Sequence, residues 1–266
     1  MHIIVCVKQV LDPEARITSF RIDPASNTMA LPQGVPPVIS SFDECALEAA
    51  LRIKDALDCK ISVLSLGVNL RRDVVKKPLA MGADELVLLE DKAFAGSDSW
   101  SCAYALSMAI RKIGDFDLIL CGRQSSDRDA GQVGSGIAEL LHLPSVTVAR
   151  NVTALDGKIR VERVTDAGYE VLEVPLPALV TVSSELGQPR YPTIKGIMSA
   201  RHKETTIWKP ADIGVTSSQV GAAGRRTRLV RLFKPVREER CEIVEGDSAE
   251  ESGVNLALKL RGAKVL

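Results

Sequence analysis

Short apolar runs alternate with amphipathic segments through the first 150 residues. Ile3–Val7 is apolar throughout, the pattern of a strand buried on both faces in a parallel sheet. Ile61–Leu66, Glu85–Leu89, Leu118–Cys121 and Ser145–Asn151 predict further strands, two of them ending at Gly67 and Gly122. Between them the apolar spacing turns helical. Phe42, Ala46, Ala49, Ile53 and Leu57 predict a helix over 42–58, with Ser41 or Asp43 placed to cap it. Arg71–Met81 predicts a helix stopped by Gly82 and kinked or cut short by Pro78. Ser99–Ile113 and Ser135–His142 predict two more. Strands alternating with helices imply an α/β fold, an open parallel, Rossmann-like sheet flanked by helices.

Two regions depart from this alternation. Residues 11–38 are rich in Pro, Asp, Asn and Gly and read as an excursion, a hairpin with arms Thr18–Ile22 and Thr28–Leu31. Past residue 150, Lys158–Thr165 and Tyr169–Val174 predict a β-hairpin around Asp166-Ala167-Gly168, followed by a strand at Ala178–Val182. Ile194 then sits in a loop bracketed by Pro189, Pro192 and Gly196, with basic residues closing the segment. One apolar residue offered by such a loop suits a docking contact, because interface energy concentrates in a few anchors. Residues 209–228 hold little that could fill a core and read as an arm; a helix is predicted at 249–261. The expected organisation is an α/β domain over 1–188, a partner-recognition loop and helix over 189–205, and a C-terminal arm over 206–266.

Composition narrows the function. Lys plus Arg equals Asp plus Glu, 34 each, and aromatics are 4%. There is neither a global basic field nor a stacking surface for nucleic acid. The six cysteines include no two within four positions, which excludes local CxxC metal or redox spacing. No run of 18 apolar residues occurs and no export signal opens the chain, so a cytoplasmic protein without a membrane span is expected.

In open parallel sheets ligands bind at the carboxyl ends of strands. Four loops qualify: Lys8–Asp12, Gly67–Asn69, Leu89–Ser97 and Gly122–Gly136. The last is richest. Gly131, Gly134 and Gly136 let backbone N–H groups approach an anion, the following helix presents its amino end, and Gln132 and Ser135 add polar groups. Asp127 and Asp129 could hold Mg²⁺ beside a phosphate or simply form a turn. His2, His142 and His202 lie far apart in the sequence, and no catalytic set stands out. These residues leave open a stand-alone adenine-nucleotide-binding enzyme, a plain interaction protein, or a nucleotide holder with a docking arm.

Several stretches together resemble the β subunit of electron transfer flavoprotein. They are Val5-Cys-Val-Lys-Gln-Val-Leu-Asp12, Leu79-Ala-Met-Gly-Ala-Asp84, Leu120-Cys-Gly-Arg-Gln124 with Asp127 and Gln132-Val-Gly134, Val161–Thr181, and Pro189-Arg-Tyr-Pro-Thr-Ile194. The resemblance implies a sheet of the adenine-nucleotide-hydrolase type and a heterodimer with an α subunit that carries most of a redox FAD site. It implies electron transfer from acyl-CoA dehydrogenase-type flavoenzymes to a downstream acceptor. The β subunit would bury AMP or, in electron-bifurcating members that oxidise NADH, a second FAD. The nucleotide set would comprise Cys6, Lys8, Ser40, Leu66, Gly67, Gly122, Gln124, Asp127, Asp129, Gly131, Gln132, Val133, Gly134 and Ser135, with Phe42 against the α-subunit flavin. Pro189, Arg190, Tyr191, Ile194 and Met198 would meet the dehydrogenase. Val133 matches the bifurcating pattern Gln-Val-Gly, whereas AMP-type members tend to read Gln-Thr-Gly; the flanking residues are mixed. Ser40-Ser41 stands where the family often has Asn-Pro.

Overall fold

The computed structural model describes residues 1–15, 21–23, 28–30, 34–234 and 241–265. Its strands are β1 (His2–Val7), β2 (Gln9–Leu11), β3 (Arg21–Asp23), β4 (Thr28–Ala30), β5 (Pro37–Ile39), β6 (Lys60–Gly67) and β7 (Glu85–Glu90). There follow β8 (Leu118–Gly122), β9 (Ser145–Leu155), β10 (Lys158–Thr165), β11 (Gly168–Pro175), β12 (Ala178–Val182) and β13 (Thr205–Trp208). The helices are α1 (Ser41–Ala56), α2 (Arg72–Val75), α3 (Lys77–Met81), α4 (Ser99–Ile113), α5 (Val133–Leu141), α6 (Ile194–His202), α7 (Gly221–Gly224) and α8 (Ala249–Gly262).

Nine strands form one sheet in the order β11-β10-β9-β12-β8-β1-β6-β7-β13. From β9 to β13 every neighbouring pair is parallel, and the β10–β11 hairpin extends the sheet antiparallel at the β9 edge. Each strand of the middle is buried on both faces, which is why its sequence is apolar without alternation. Ile3, Val5 and Val7 point into a core beneath α1 and α3, while Ile4 and Cys6 point into a second core beneath α4 and α5.

Local chemistry sets the helix ends. Asp98 caps α4 by accepting the Ser101 N–H at 2.9 Å, and the Ser101 hydroxyl accepts the Asp98 N–H in return at 3.0 Å. The predicted helix 71–81 is two helices. Pro78 falls in the first turn of α3, where its missing N–H costs nothing, and the break precedes it at Lys76. The hairpin arms expected at Thr18–Ile22 and Thr28–Leu31 lie partly outside the described residues; the described parts pair as β3 and β4.

Two expectations are corrected. Ile194 does not sit in a loop; it opens α6, whose cap Thr193 accepts the Gly196 N–H at 3.0 Å. Residues 209–228 do contribute to a core, since Ile213, Val215 and Val220 are buried in the cluster under α4. Before them Thr205–Trp208 adds an edge strand, β13, beside β7. Beyond residue 224 the chain changes character. No residue of α8 is buried, and Phe233, Ile243, Val254 and Leu258 are all exposed. No described helix is long and apolar enough to cross a membrane.

Candidate functional site

A cavity of 480 Å³ opens at the carboxyl ends of β1, β6 and β8. That is the size of a small-molecule site. Its walls are the four loops that the strand order places there: Cys6–Gln9, Leu66–Leu70, Phe94–Ser99 and Gly122–Gly134. Of the residues expected to hold a nucleotide, Cys6, Lys8, Leu66, Gly67, Gly122, Gln124, Asp127, Gly131, Gln132, Val133 and Gly134 line it. Ser40, Phe42, Asp129 and Ser135 do not. Ser40 is buried behind the loop, its Oγ accepting the Ser126 N–H at 3.3 Å. Phe42 is half-buried, with the Arg123 guanidinium 5.6 Å from its ring centroid. Ser135 is exposed on the first turn of α5. None of the three histidines lines the cavity.

The amino end of α5 faces this space. Gln132 provides no side-chain cap, so among the described residues the first-turn amides have no side-chain partner, and they carry the positive end of the helix dipole. Gly131, at φ +63°, makes the left-handed turn that brings the chain into the helix. Gly134 has a different role from the one its sequence suggests. A Cβ there would stand 2.5 Å from Thr181 Cγ2, so the missing side chain admits β12 against α5 rather than opening a path to an anion.

Charge in the cavity is balanced. Lys8 Nζ pairs with both Asp127 oxygens, at 2.7 and 2.8 Å. Burial opposes ionisation of Asp127, but the Lys8 hydrogen bond and charge outweigh it and hold the carboxyl below its ordinary range. Asp129, at φ +50°, accepts from Gln124 Nε2 at 2.9 Å. The two aspartates thus have separate partners; among the described residues no cluster of three or more His, Cys, Asp or Glu could hold a metal.

Two carboxylates escaped the sequence reading because their partners are remote. Asp43, read there only as a helix-start residue, is buried, and accepts the Lys8 N–H at 2.8 Å and the Gly122 N–H at 3.1 Å. It fastens the ends of β1 and β8 to the start of α1, and burial pushes its carboxyl up to about 7. Asp98 does more than cap α4. Its Oδ2 also accepts the N–H groups of Arg226 and Thr227, both at 2.8 Å, and the Thr227 hydroxyl at 3.1 Å. Burial works against its charge, but the amides of Ser101, Arg226 and Thr227 prevail and keep it well below the usual carboxylate range. The root of the C-terminal arm is therefore tied to the cavity wall. The Asp-x-x-Ser spacing was the only local sign of Asp98's role.

The partner-binding candidates lie elsewhere. Tyr191, Ile194 and Met198 form an exposed patch at the start of α6, Ile194 being 80% exposed. Arg190 does not join them, since it is ion-paired with Glu48 and Asp55 of its own chain.

A parallel sheet with a glycine-bordered cavity at its carboxyl ends defines an α/β ligand-binding domain. The family model of the electron transfer flavoprotein domain matches residues 29–213. The chain is 41% identical to the electron transfer flavoprotein subunit beta of Thermoanaerobacterium thermosaccharolyticum, covering 100% of both chains. It is 39% identical to the caffeyl-CoA reductase-Etf complex subunit CarD of Acetobacterium woodii, again over 100% of both. It is 39% identical to protein FixA of Azorhizobium caulinodans, covering 92% of this chain and 89% of that one. The chain belongs to the electron transfer flavoprotein family, among its β subunits.

Proposed function

We propose that this chain pairs with an electron transfer flavoprotein α subunit to carry electrons from acyl-CoA dehydrogenase-type flavoenzymes to a downstream acceptor. The α subunit supplies most of the redox FAD site, and this chain contributes a buried adenine nucleotide and a docking surface. The observation that carries the reading is the cavity at the ends of β1, β6 and β8, closed by the uncapped start of α5. The anion partners are the first-turn amides of α5, with Lys8 and Arg128 at the wall. The nucleotide makes a structural contribution, because a ligand that binds only the folded chain stabilises it. Phe42 and Arg123 stand beside the cavity, on the side proposed to approach the α-subunit flavin.

The nucleotide is AMP or a second FAD. Val133 supports FAD: it puts an apolar side chain in the cavity wall where a threonine hydroxyl would meet the phosphate of AMP. With FAD, the complex would also oxidise NADH. Residues 225–234 and 241–265 expose apolar side chains along an arm that, in this reading, wraps the α subunit.

The test is co-purification with the α subunit followed by cofactor extraction. One flavin and one AMP per heterodimer identify the AMP type, and two flavins with NADH oxidation identify the second. A chain that binds no partner and carries no nucleotide contradicts the proposal.

A further inference from the structure

We propose that Glu48, a buried carboxylate on α1, is the positioning residue of the docking loop. Through Arg190 it fixes where Tyr191 and Ile194 stand. The inference rests on the reading of residues 189–198 as a docking surface.

Glu48 is only 4% exposed, yet both its oxygens are occupied. Oε2 accepts the Arg190 backbone N–H at 3.1 Å and Arg190 Nε at 2.9 Å. Oε1 accepts Arg190 Nη2 at 3.1 Å and Arg52 Nε at 3.2 Å. The far side of the same guanidinium reaches Asp55, with Nη2 to Oδ2 at 2.7 Å. Glu48 and Asp55 stand two turns apart on one face of α1. Arg52, from the turn between them, donates to the Leu186 carbonyl at 3.2 Å. One helix thus holds residues 186–190 at three points, the third being the Cys45 thiol, which donates to the Gly187 carbonyl at 3.9 Å.

The loop is fixed at its other end as well. Ala200 of α6 is buried in the core that also holds Leu79 of α3, and Lys76 donates to the Lys203 carbonyl at 3.1 Å. Between these anchors Tyr191 is 77% and Ile194 80% exposed. Pro192 restricts the backbone there. An apolar anchor is therefore presented in a set place with little of its own packing. Ordering such a segment in advance removes a cost that binding would otherwise carry. A buried carboxylate is otherwise hard to account for on the apolar face of α1, since a surface ion pair would hold less firmly.

The experiment compares Glu48→Gln, Ile194→Ala and the parent chain, each as the complex with its α subunit. Reduction by an acyl-CoA dehydrogenase is followed as a function of carrier concentration, and hydrogen exchange of the 188–193 amides is measured. Glu48→Gln is expected to raise KM about tenfold with kcat within about twofold, since the encounter is weakened and the chemistry is not. It should also speed exchange at 188–193 and leave nucleotide content unchanged. If Glu48→Gln does not accumulate as folded protein, Arg190→Lys carries the test. It keeps the charge, loses the fork that spans Glu48 and Asp55, and should raise KM severalfold. An unchanged KM in either variant, with Ile194→Ala raising it, overturns the role of Glu48. An unchanged KM in Ile194→Ala overturns the docking reading itself.

Discussion

Gly134 is where sequence and structure assign different reasons to the same glycine, and it gives the sharpest prediction. A methyl at this position would meet Thr181 Cγ2 at 2.5 Å, far inside contact distance, with Cys121 Cβ next at 3.6 Å. Thr181 cannot swing away freely. It is buried on β12, and its Oγ1 accepts the Val148 N–H at 3.0 Å across a bulge in β9. Gly134→Ala should therefore push α5 off the sheet or break that hydrogen bond. Overpacking of a tight core costs about 1–3 kcal/mol. For a chain this long, each kcal/mol lowers Tm by about 2–4 °C. Because the displaced end of α5 is the proposed anion site, nucleotide affinity should fall with it. The rescue is specific: Thr181→Ser removes the clashing methyl and keeps the hydroxyl that Val148 needs. Differential scanning calorimetry and nucleotide titration of Gly134→Ala, Thr181→Ser and the double variant form the assay. If Gly134→Ala leaves Tm unchanged, or if Thr181→Ser fails to restore it, the packing argument is wrong.

Other consequences can be tested alongside. Asp43 has a folded pKa of about 7 against an ordinary 3.8, so the fold retains a proton there that the unfolded chain releases. Its contribution is fully present below about pH 4 and is lost as pH rises to about 7, by up to about 4 kcal/mol. Asp43→Asn cannot ionise and turns an amide donor toward the Lys8 or Gly122 N–H, so it should lower stability overall but flatten that decline in urea unfolding between pH 5 and 7.5; an unaltered slope would assign the decline to other groups. Asp98→Asn retains a good helix cap but turns an amide donor toward the Arg226 and Thr227 donors. Limited proteolysis should then cut at 225–234 several times faster, with the core intact; equal cutting would show that Asp98 does not hold the arm. Ile194→Ala removes an anchor whose burial is worth roughly 1.5–3 kcal/mol, so dehydrogenase affinity should fall at least about tenfold in a titration. No fall would remove Ile194 from the contact.

The sheet was legible in the sequence because its strands are buried on both faces. Ile3–Val7 and Ala178–Val182 have no polar alternation to blur the pattern. The extent of α4 was legible as well, since its amphipathic spacing runs over Ser99–Ile113. What escaped depends on contacts distant in the chain. The ribbon of Gln9–Leu11 with Pro37–Ile39 is short and non-local. Thr205–Trp208 is a half-exposed edge strand that, among the described residues, pairs with β7 alone. Val215 and Val220 look isolated among Gly, Ser and Ala, and acquire a core only because that segment folds back under α4. The cavity's glycine loop announced itself by composition. Asp43 did not, because its value lies in two backbone amides, 35 and 79 residues away.

Hydrogen exchange at the start of α5, read with and without added nucleotide, tests the central claim most directly. If the amides of Gln132, Val133 and Gly134 at the start of α5 bind the phosphate, their exchange slows when AMP or FAD fills the cavity, while amides in the distant β10–β11 hairpin keep their rates. Saturating nucleotide that leaves residues 132–134 exchanging as before would contradict it.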